Sequence, residues 1–195
     1  MIDNVVVRNN AADGVRVWSK GQPSLTNNTI SNNTGYGIYY DYYRGTGNPQ
    51  ITGNSVAGSG ESGIYYSGYS SSGAATISNN TASNNQQKGI SVDYGTATIS
   101  GNAVDSNGWQ GIHAYNSNVT IAGNTVTGNT GAGIDAYYGA VISNNTVRNN
   151  TGADYGGGIY AHSPKSISNN TVTGNSATSR GGGIYTEGGY NAQVT

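Results

Sequence analysis

The chain of 195 residues has no cysteine and no phenylalanine, a single leucine (Leu25), three prolines and only 9% charged residues. Each shortage excludes something. Without cysteine there are no disulfides and no thiolate metal sites, although the compartment stays open. One leucine cannot supply a leucine-rich helical core. Eight basic and nine acidic side chains are scattered to a net charge of −1, so there is no footprint for nucleic acid or for an anionic membrane surface. The longest purely aliphatic run, Val5-Val6-Val7, is far short of the ~20 residues of a membrane span. No signal peptide precedes the first repeat, in which Met1 already takes part.

What fills the gaps is Asn, Ser and Thr, with 32 glycines and 16 tyrosines. Such a composition alone reads as low-complexity chain. The spacing says otherwise, because the chain aligns on itself as I-S-N-N-T-V-x-x-N, a short loop, then G-I. The leading aliphatic position is taken by Met1, Leu25, Ile51, Ile77, Ile99, Ile121, Ile142 and Ile167. Three residues later comes an asparagine column of Asn4, Asn28, Asn54, Asn80, Asn102, Asn124, Asn145 and Asn170. A second column follows with Asn9, Asn33, Asn85, Asn107, Asn129, Asn150 and Asn175, interrupted by Ser59. The Gly-aliphatic pairs run from Gly14-Val15 to Gly183-Ile184.

Segments such as Thr125-Val126-Thr127 alternate with the period of a strand. Each strand has only one or two inward aliphatic residues, too few to bury a face alone. Stacking solves this, since equivalent residues of successive coils then lie about 4.8 Å apart and form inner columns. The reading is an all-β, single-stranded parallel β-helix of eight coils of 21–26 residues, one domain over residues 1–195. Such a rod is roughly 35–40 Å long. Asparagine is expected at corners, in left-handed backbone, and glycine at bends closed to other residues. The inward fillers two residues beyond the Gly-linked aliphatic scale with coil length. Tyr40 and Tyr66 belong to the longest coils, Ala114 and Ala136 to the shortest, as close packing requires.

This pattern resembles the right-handed parallel β-helix repeat family of the pectin-lyase-like and NosD type, with strings such as "ISNNTVTGNSATSRGGGIY". The resemblance covers every coil and implies a right-handed solenoid from a secreted or surface-exposed bacterial protein. It is specific for architecture and weak for function, because the fold hosts lyases, hydrolases, epimerases, adhesins and phage spikes. The first and last coils carry no evident cap, and the chain stops at Thr195, where by comparison with Val119-Thr120-Ile121 another leading aliphatic should follow. The chain therefore reads as a segment of a longer protein, or as one whose ends associate end to end.

The strand after each Gly projects two outward columns. One holds Arg16, Tyr39, Tyr65, Ser91, His113, Asp135, Tyr160 and Tyr185. The other holds Trp18, Asp41, Ser67, Asp93, Tyr115, Tyr137, His162 and Glu187. Tyrosine without phenylalanine points to rings that meet water. Rings beside carboxylates suit a sugar chain, so Trp18, Tyr39, Tyr65, Asp93, Tyr115, Tyr160 and Tyr185 are the expected carbohydrate-binding residues. The plainer alternative is a tyrosine ladder that only stabilises an exposed sheet, as in an adhesin or spike segment.

A glycosidase needs two carboxylates about 5–5.5 or 6.5–9.5 Å apart, and no two acids of this face sit on adjacent coils. A polyuronate lyase or epimerase needs a base and a stabiliser of the developing enolate. His113, Asp135, Tyr137 and His162 are the densest titratable cluster and the candidate catalytic set. Gly133-Ile134-Asp135 resembles the start of the catalytic strand of mannuronate epimerases, but Ala136-Tyr137 replaces the Pro-His that follows there. Neutralisation would fall to Lys88, Arg148 or Ca²⁺; otherwise no cofactor or metal is expected. A last alternative, ice binding, rests on the T-x-T-like pairs Thr29/Ser31, Thr81/Ser83, Thr125/Thr127 and Thr171/Thr173, interrupted by Val5, Val7, Asp105 and Arg148. The expected function is a rigid scaffold that binds polysaccharide on its tyrosine face.

Overall fold

A computed structural model describes residues 1–188 and 193–194. All regular structure among them is β-strand, wound as a right-handed parallel β-helix. Each coil contributes a strand to three faces. The leading strands run from Ile2–Asp3 through Leu25–Thr26 and Gln50–Thr52 to Ser166–Ser168. The strands of the second face run from Val6–Arg8 to Thr171–Thr173. Those of the third run from Val15–Trp18 to Ile184–Glu187. In Ile90–Ser100 and Ile112–Ala122 a third-face strand continues straight into the next leading strand. Coil pairs with coil in parallel register, for example Ile77↔Ile99, Val104↔Val126 and Ile134↔Ile159.

The register stacks like on like inside the rod. Leu25, Ile51, Ile77, Ile99, Ile121 and Ile142 are all fully buried. Each such side chain is worth about 1.5–3 kcal/mol on leaving water. The two asparagine columns are also interior, and hydrogen bonding makes that possible. Asn102 Nδ2 donates to Asn124 Oδ1 at 2.9 Å and to the Ile77 carbonyl at 2.9 Å, while Asn102 Oδ1 accepts from Asn80 Nδ2 at 3.0 Å and Asn80 N at 2.9 Å. The same set repeats from Asn28 to Asn170. The second column does likewise from Asn85 to Asn175. It breaks between Asn33 and Ser59, whose hydroxyl has no partner among the described residues.

Several expectations need correction. The first coil is one residue out of register: Ile2, not Met1, pairs with Leu25, and Val5 and Asn10, not Asn4 and Asn9, meet Asn28 and Asn33. Two adjacent aliphatic residues made either frame readable, and Met1 stays exposed. The ladder asparagines are not the left-handed residues. That conformation falls one position earlier, at Asn27, Gly53, Asn79, Gly101, Gly123, Asn144 and Asn169, and at Asn4 in the first coil.

The glycines before the aliphatic residues are needed for space, not for positive φ. A Cβ on Gly111 would lie 2.7 Å from the Gly133 carbonyl oxygen and 2.8 Å from Asn129 Nδ2. Tyrosine is not only a surface residue either, since Tyr40, Tyr42 and Tyr66 are fully buried. Two of their hydroxyls find backbone partners: Tyr40 donates to the Pro23 carbonyl at 2.8 Å, and Tyr42 accepts from Gly47 N at 2.6 Å. Val194, not a residue after Thr195, takes the aliphatic place beside Ile167, and Thr195 lies outside the described residues.

Candidate functional site

The third face carries the two outward columns in the register expected, with His113 against Asp135, Asp135 against Tyr160, and Tyr137 against His162. A further column flanks them, two residues before each Gly-linked aliphatic. It holds Asp13, Tyr36, Ser62, Lys88, Gln110, Ala132, Gly157 and Gly182, joined coil to coil by backbone hydrogen bonds. Its side chains lean onto the outward column of their own or the next coil. Asp13 pairs with Arg16 at 2.6 Å, the Tyr36 ring meets Tyr39 and Tyr65 at 5.2 and 5.4 Å, and Gln110 Nε2 donates to Asp135 Oδ2 at 3.0 Å. After Gln110 the column shrinks to alanine and glycine: a Cβ on Gly157 would strike the Ser176 carbonyl oxygen at 2.1 Å, whereas beside Ala132 there is open space.

That space is a cleft of about 270 Å³. Its lining includes Asp135, Tyr137, Tyr160, Trp109, Asp154 and Tyr155, with the Tyr155 and Tyr160 rings 6.5 Å apart. Asp135 is 5% exposed. Its Oδ2 contacts His113 Nδ1 at 3.1 Å as well as Gln110, while Oδ1 has no partner among the described residues. Tyr137 sits 5.5 Å from the Tyr160 ring and 6.2 Å from the His162 ring. Burial, reinforced by the Asp135 charge, pushes the Tyr137 hydroxyl up to about 12. Burial and the hydrogen bond to Glu187, at 2.5 Å, likewise raise Tyr160. Both phenols therefore keep their protons at neutral pH and act as donors. Lys88 lies with its ammonium 5.4 Å from the Trp109 ring centre, and burial lowers its pKa against the pull of Asp93 and Asp135.

All four candidate catalytic residues thus come together, although only His113 and Asp135 touch through a hydrogen bond. Among the described residues no three His, Asp or Glu side chains are grouped where they could together hold a metal ion. The carbohydrate-binding candidates divide. Tyr115, Tyr160 and Tyr185 join the Tyr137 cluster, with Tyr115 5.6 Å from Tyr137 and Tyr185 6.0 Å from Tyr160. Tyr39 and Tyr65 instead stack on each other at 5.0 Å, three or more coils away, with Arg16 4.0 Å above Tyr39. Asp93 lies beside Tyr65, and burial together with that carboxylate raises the phenol. Trp18 stands alone at the first coil, 82% exposed. The T-x-T face is broken by Arg8, Ala57, Asp105 and Arg148; its first-coil pair is Val6 and Arg8, not Val5 and Val7.

Trp109, Asp154 and Tyr155 were not anticipated, because they lie outside the repeat columns, Trp109 in a bend and Asp154 and Tyr155 in the extra strand Ala153–Tyr155, which pairs with Ala177–Arg180 of the next coil. The signal available was length: Gly152–Tyr155 is part of what lengthens that coil to a 25-residue step, where its two predecessors take 22 and 21.

The right handed beta helix region family matches residues 1–116 and 42–195, which together span every coil. The chain belongs to that family. Among solved structures it is similar to a mutant of the periplasmic alginate epimerase AlgG, at 20% identity and a TM-score of 0.58 over 99% of this chain and 51% of that one. It is also similar to the A-module of the Azotobacter vinelandii mannuronan C-5 epimerase AlgE4, at 14% identity and a TM-score of 0.55 over 97% of this chain and 78% of that one. The chain spans about half the length of the first of these. No curated protein matches the sequence. At such identities the likeness is one of fold.

Proposed function

We propose that this β-helix binds a polysaccharide on its third face, with one sugar unit seated in the cleft over Asp135 and neighbouring units on the tyrosines beside it. The carrying observation is the cleft itself, lined by the nearly buried carboxylate of Asp135 together with Trp109, Tyr137, Tyr155 and Tyr160. Rings present faces for the C–H surfaces of a sugar, and the carboxylate and phenols supply acceptors and donors for its hydroxyls. The likeness in fold to alginate epimerases, which act on a polysaccharide, is in keeping with this and with a place outside the cytoplasm. A glycan array followed by affinity electrophoresis tests it. Tyr160→Ala should weaken the best ligand several-fold, since an aromatic contact contributes about 0.5–1.5 kcal/mol. No retained glycan, or equal retention by Tyr160→Ala, would discard the reading.

The contact between His113 and Asp135 favours a second reading, a polyuronate lyase or epimerase in which the pair moves the proton beside a substrate carboxylate. It ranks second for two physical reasons. Tyr137 stays protonated at neutral pH, so it can give a proton but not take one. No lysine or arginine lines the cleft to neutralise a uronate or its enolate. Turnover of alginate or pectin, abolished by Asp135→Asn, would reverse that order.

A further inference from the structure

We infer that the unit held over Asp135 is an amino sugar bearing a free, protonated amine; this rests on the glycan reading above. The cleft is lined by two carboxylates, Asp135 and Asp154, and by no basic side chain. Asp135 Oδ1 and Gln110 Oε1 are both buried and have no partner among the described residues. Two buried acceptors beside one opening call for a ligand that brings donors, because leaving them dry is costly. An ammonium group brings three N–H donors and a positive charge, and its bond to a carboxylate is stronger than that of a neutral hydroxyl.

The walls point the same way, since the faces of Trp109, Tyr137, Tyr155 and Tyr160 attract a cation through their quadrupoles. A uronate would bring the wrong sign, with acceptors facing acceptors and a like charge facing Asp135 and Asp154. Lys88 does not line the cleft: among the described residues it makes no ion pair, and its ammonium lies 5.4 Å from the Trp109 ring centre. His113 Nδ1 lies 3.1 Å from Asp135 Oδ2 and leaves Oδ1 without a partner among the described residues. The cleft's 270 Å³ is slightly below the range of roughly 300–1,000 Å³ for drug-sized pockets, so it suits one ring of a chain.

The test is calorimetric titration of the whole chain with three hexamers: glucosamine, N-acetylglucosamine and mannuronate. Mildly acidic buffer of low ionic strength keeps the amine protonated and the carboxylates ionised. The glucosamine hexamer should bind about tenfold more tightly than its acetylated counterpart, and mannuronate most weakly. Asp135→Asn should remove most of that preference, weakening the glucosamine hexamer far more than its acetylated counterpart. Should Asp135→Asn fail to fold, the exposed Asp154→Asn should still reduce the preference. Tighter binding of mannuronate, or a preference that survives both variants, would overturn the inference. Equal binding of the amine and its acetamide, both weakened by Tyr160→Ala, would overturn it and leave the glycan reading standing. No Tyr160-dependent binding of any hexamer would remove both.

Discussion

In the wide coils near the start of the chain, Tyr36, Tyr39 and Tyr65 pack on one another beneath the guanidinium of Arg16. In the coils farther on, the same two columns hold Ala132, Asp135 and Tyr160, and a cleft opens. Backbone, register and asparagine ladders are the same in both regions, so the difference lies in the flanking column. Where that column offers a large side chain, the outward rings spend their faces on each other. Where it offers alanine, a cleft opens beside Tyr137 and Tyr160 and over the nearly buried Asp135, although those rings also touch their neighbours. A row of tyrosines is therefore not in itself a binding face; the residue beside it decides.

The largest effect should come from striking what the two regions share. Asn102 lies between them and takes part in bonds to three coils. Asn102→Leu should cost about 1–3 kcal/mol, by leaving neighbouring amides unpaired. Denaturant unfolding followed by tyrosine fluorescence should show a single transition at lower midpoint; loss of one region alone would mean that the two are not one cooperative rod.

A smaller change should convert the open region into the closed one. Ala132→Gln places in the cleft the side chain that Gln110 already extends one coil earlier. Glycan affinity should fall about tenfold or more, with the melting temperature almost unchanged, since a lost seat for one sugar ring is worth upwards of about 1.4 kcal/mol. Retained affinity would place binding elsewhere on the face.

Single rings should then separate the regions by kind of loss. Tyr160→Ala should reduce affinity several-fold, whereas Tyr65→Ala should leave affinity alone and lower stability by about 0.5–1.5 kcal/mol through its lost partners Tyr39 and Tyr36. The reverse outcome would exchange their roles.

The mildest test is alkaline. Folding raises the phenols of Tyr36, Tyr65 and Tyr137 above the ordinary 10.0, the last to about 12. In that window the folded chain holds protons that the unfolded chain has released, so stability is full below pH 10 and is lost as pH rises through 12. Thermal melts across this range should show the decline, and Tyr137→Phe should flatten part of it.

What the sequence displayed and what it hid follow from the same distinction between column and loop. The asparagine ladders, the inner isoleucines and the size of the fillers were legible because stacking repeats them once per coil. The misread first coil had two aliphatic candidates, Met1 and Ile2, and two asparagine pairs, Asn9-Asn10 and Asn4 beside Val5, with no earlier coil to choose between them. His113, Asp135, Tyr137 and His162 were placed together correctly because their spacing is that of the coils. The cleft was not legible. It depends on Ala132 as missing volume, on Trp109 from a bend, and on Asp154 and Tyr155 from an extra strand that is present in only some coils.

The asparagine ladders also give the rod a direction. In every step the amide nitrogen of one coil donates to the amide oxygen of the next, from Asn28 through Asn170 and from Asn85 through Asn175. Neighbouring backbone bonds run both ways between coils, as Ile2 N to Ser24 O and Thr29 N to Val5 O show, and largely cancel. The side-chain amides do not cancel. Their dipoles line up along the axis in two parallel files, oxygen toward the first coil and nitrogen toward the last. The molecule is thus an electrical arrow: another rod could prolong its ladders only nose to tail, and a filament of such rods would inherit the polarity of a single amide.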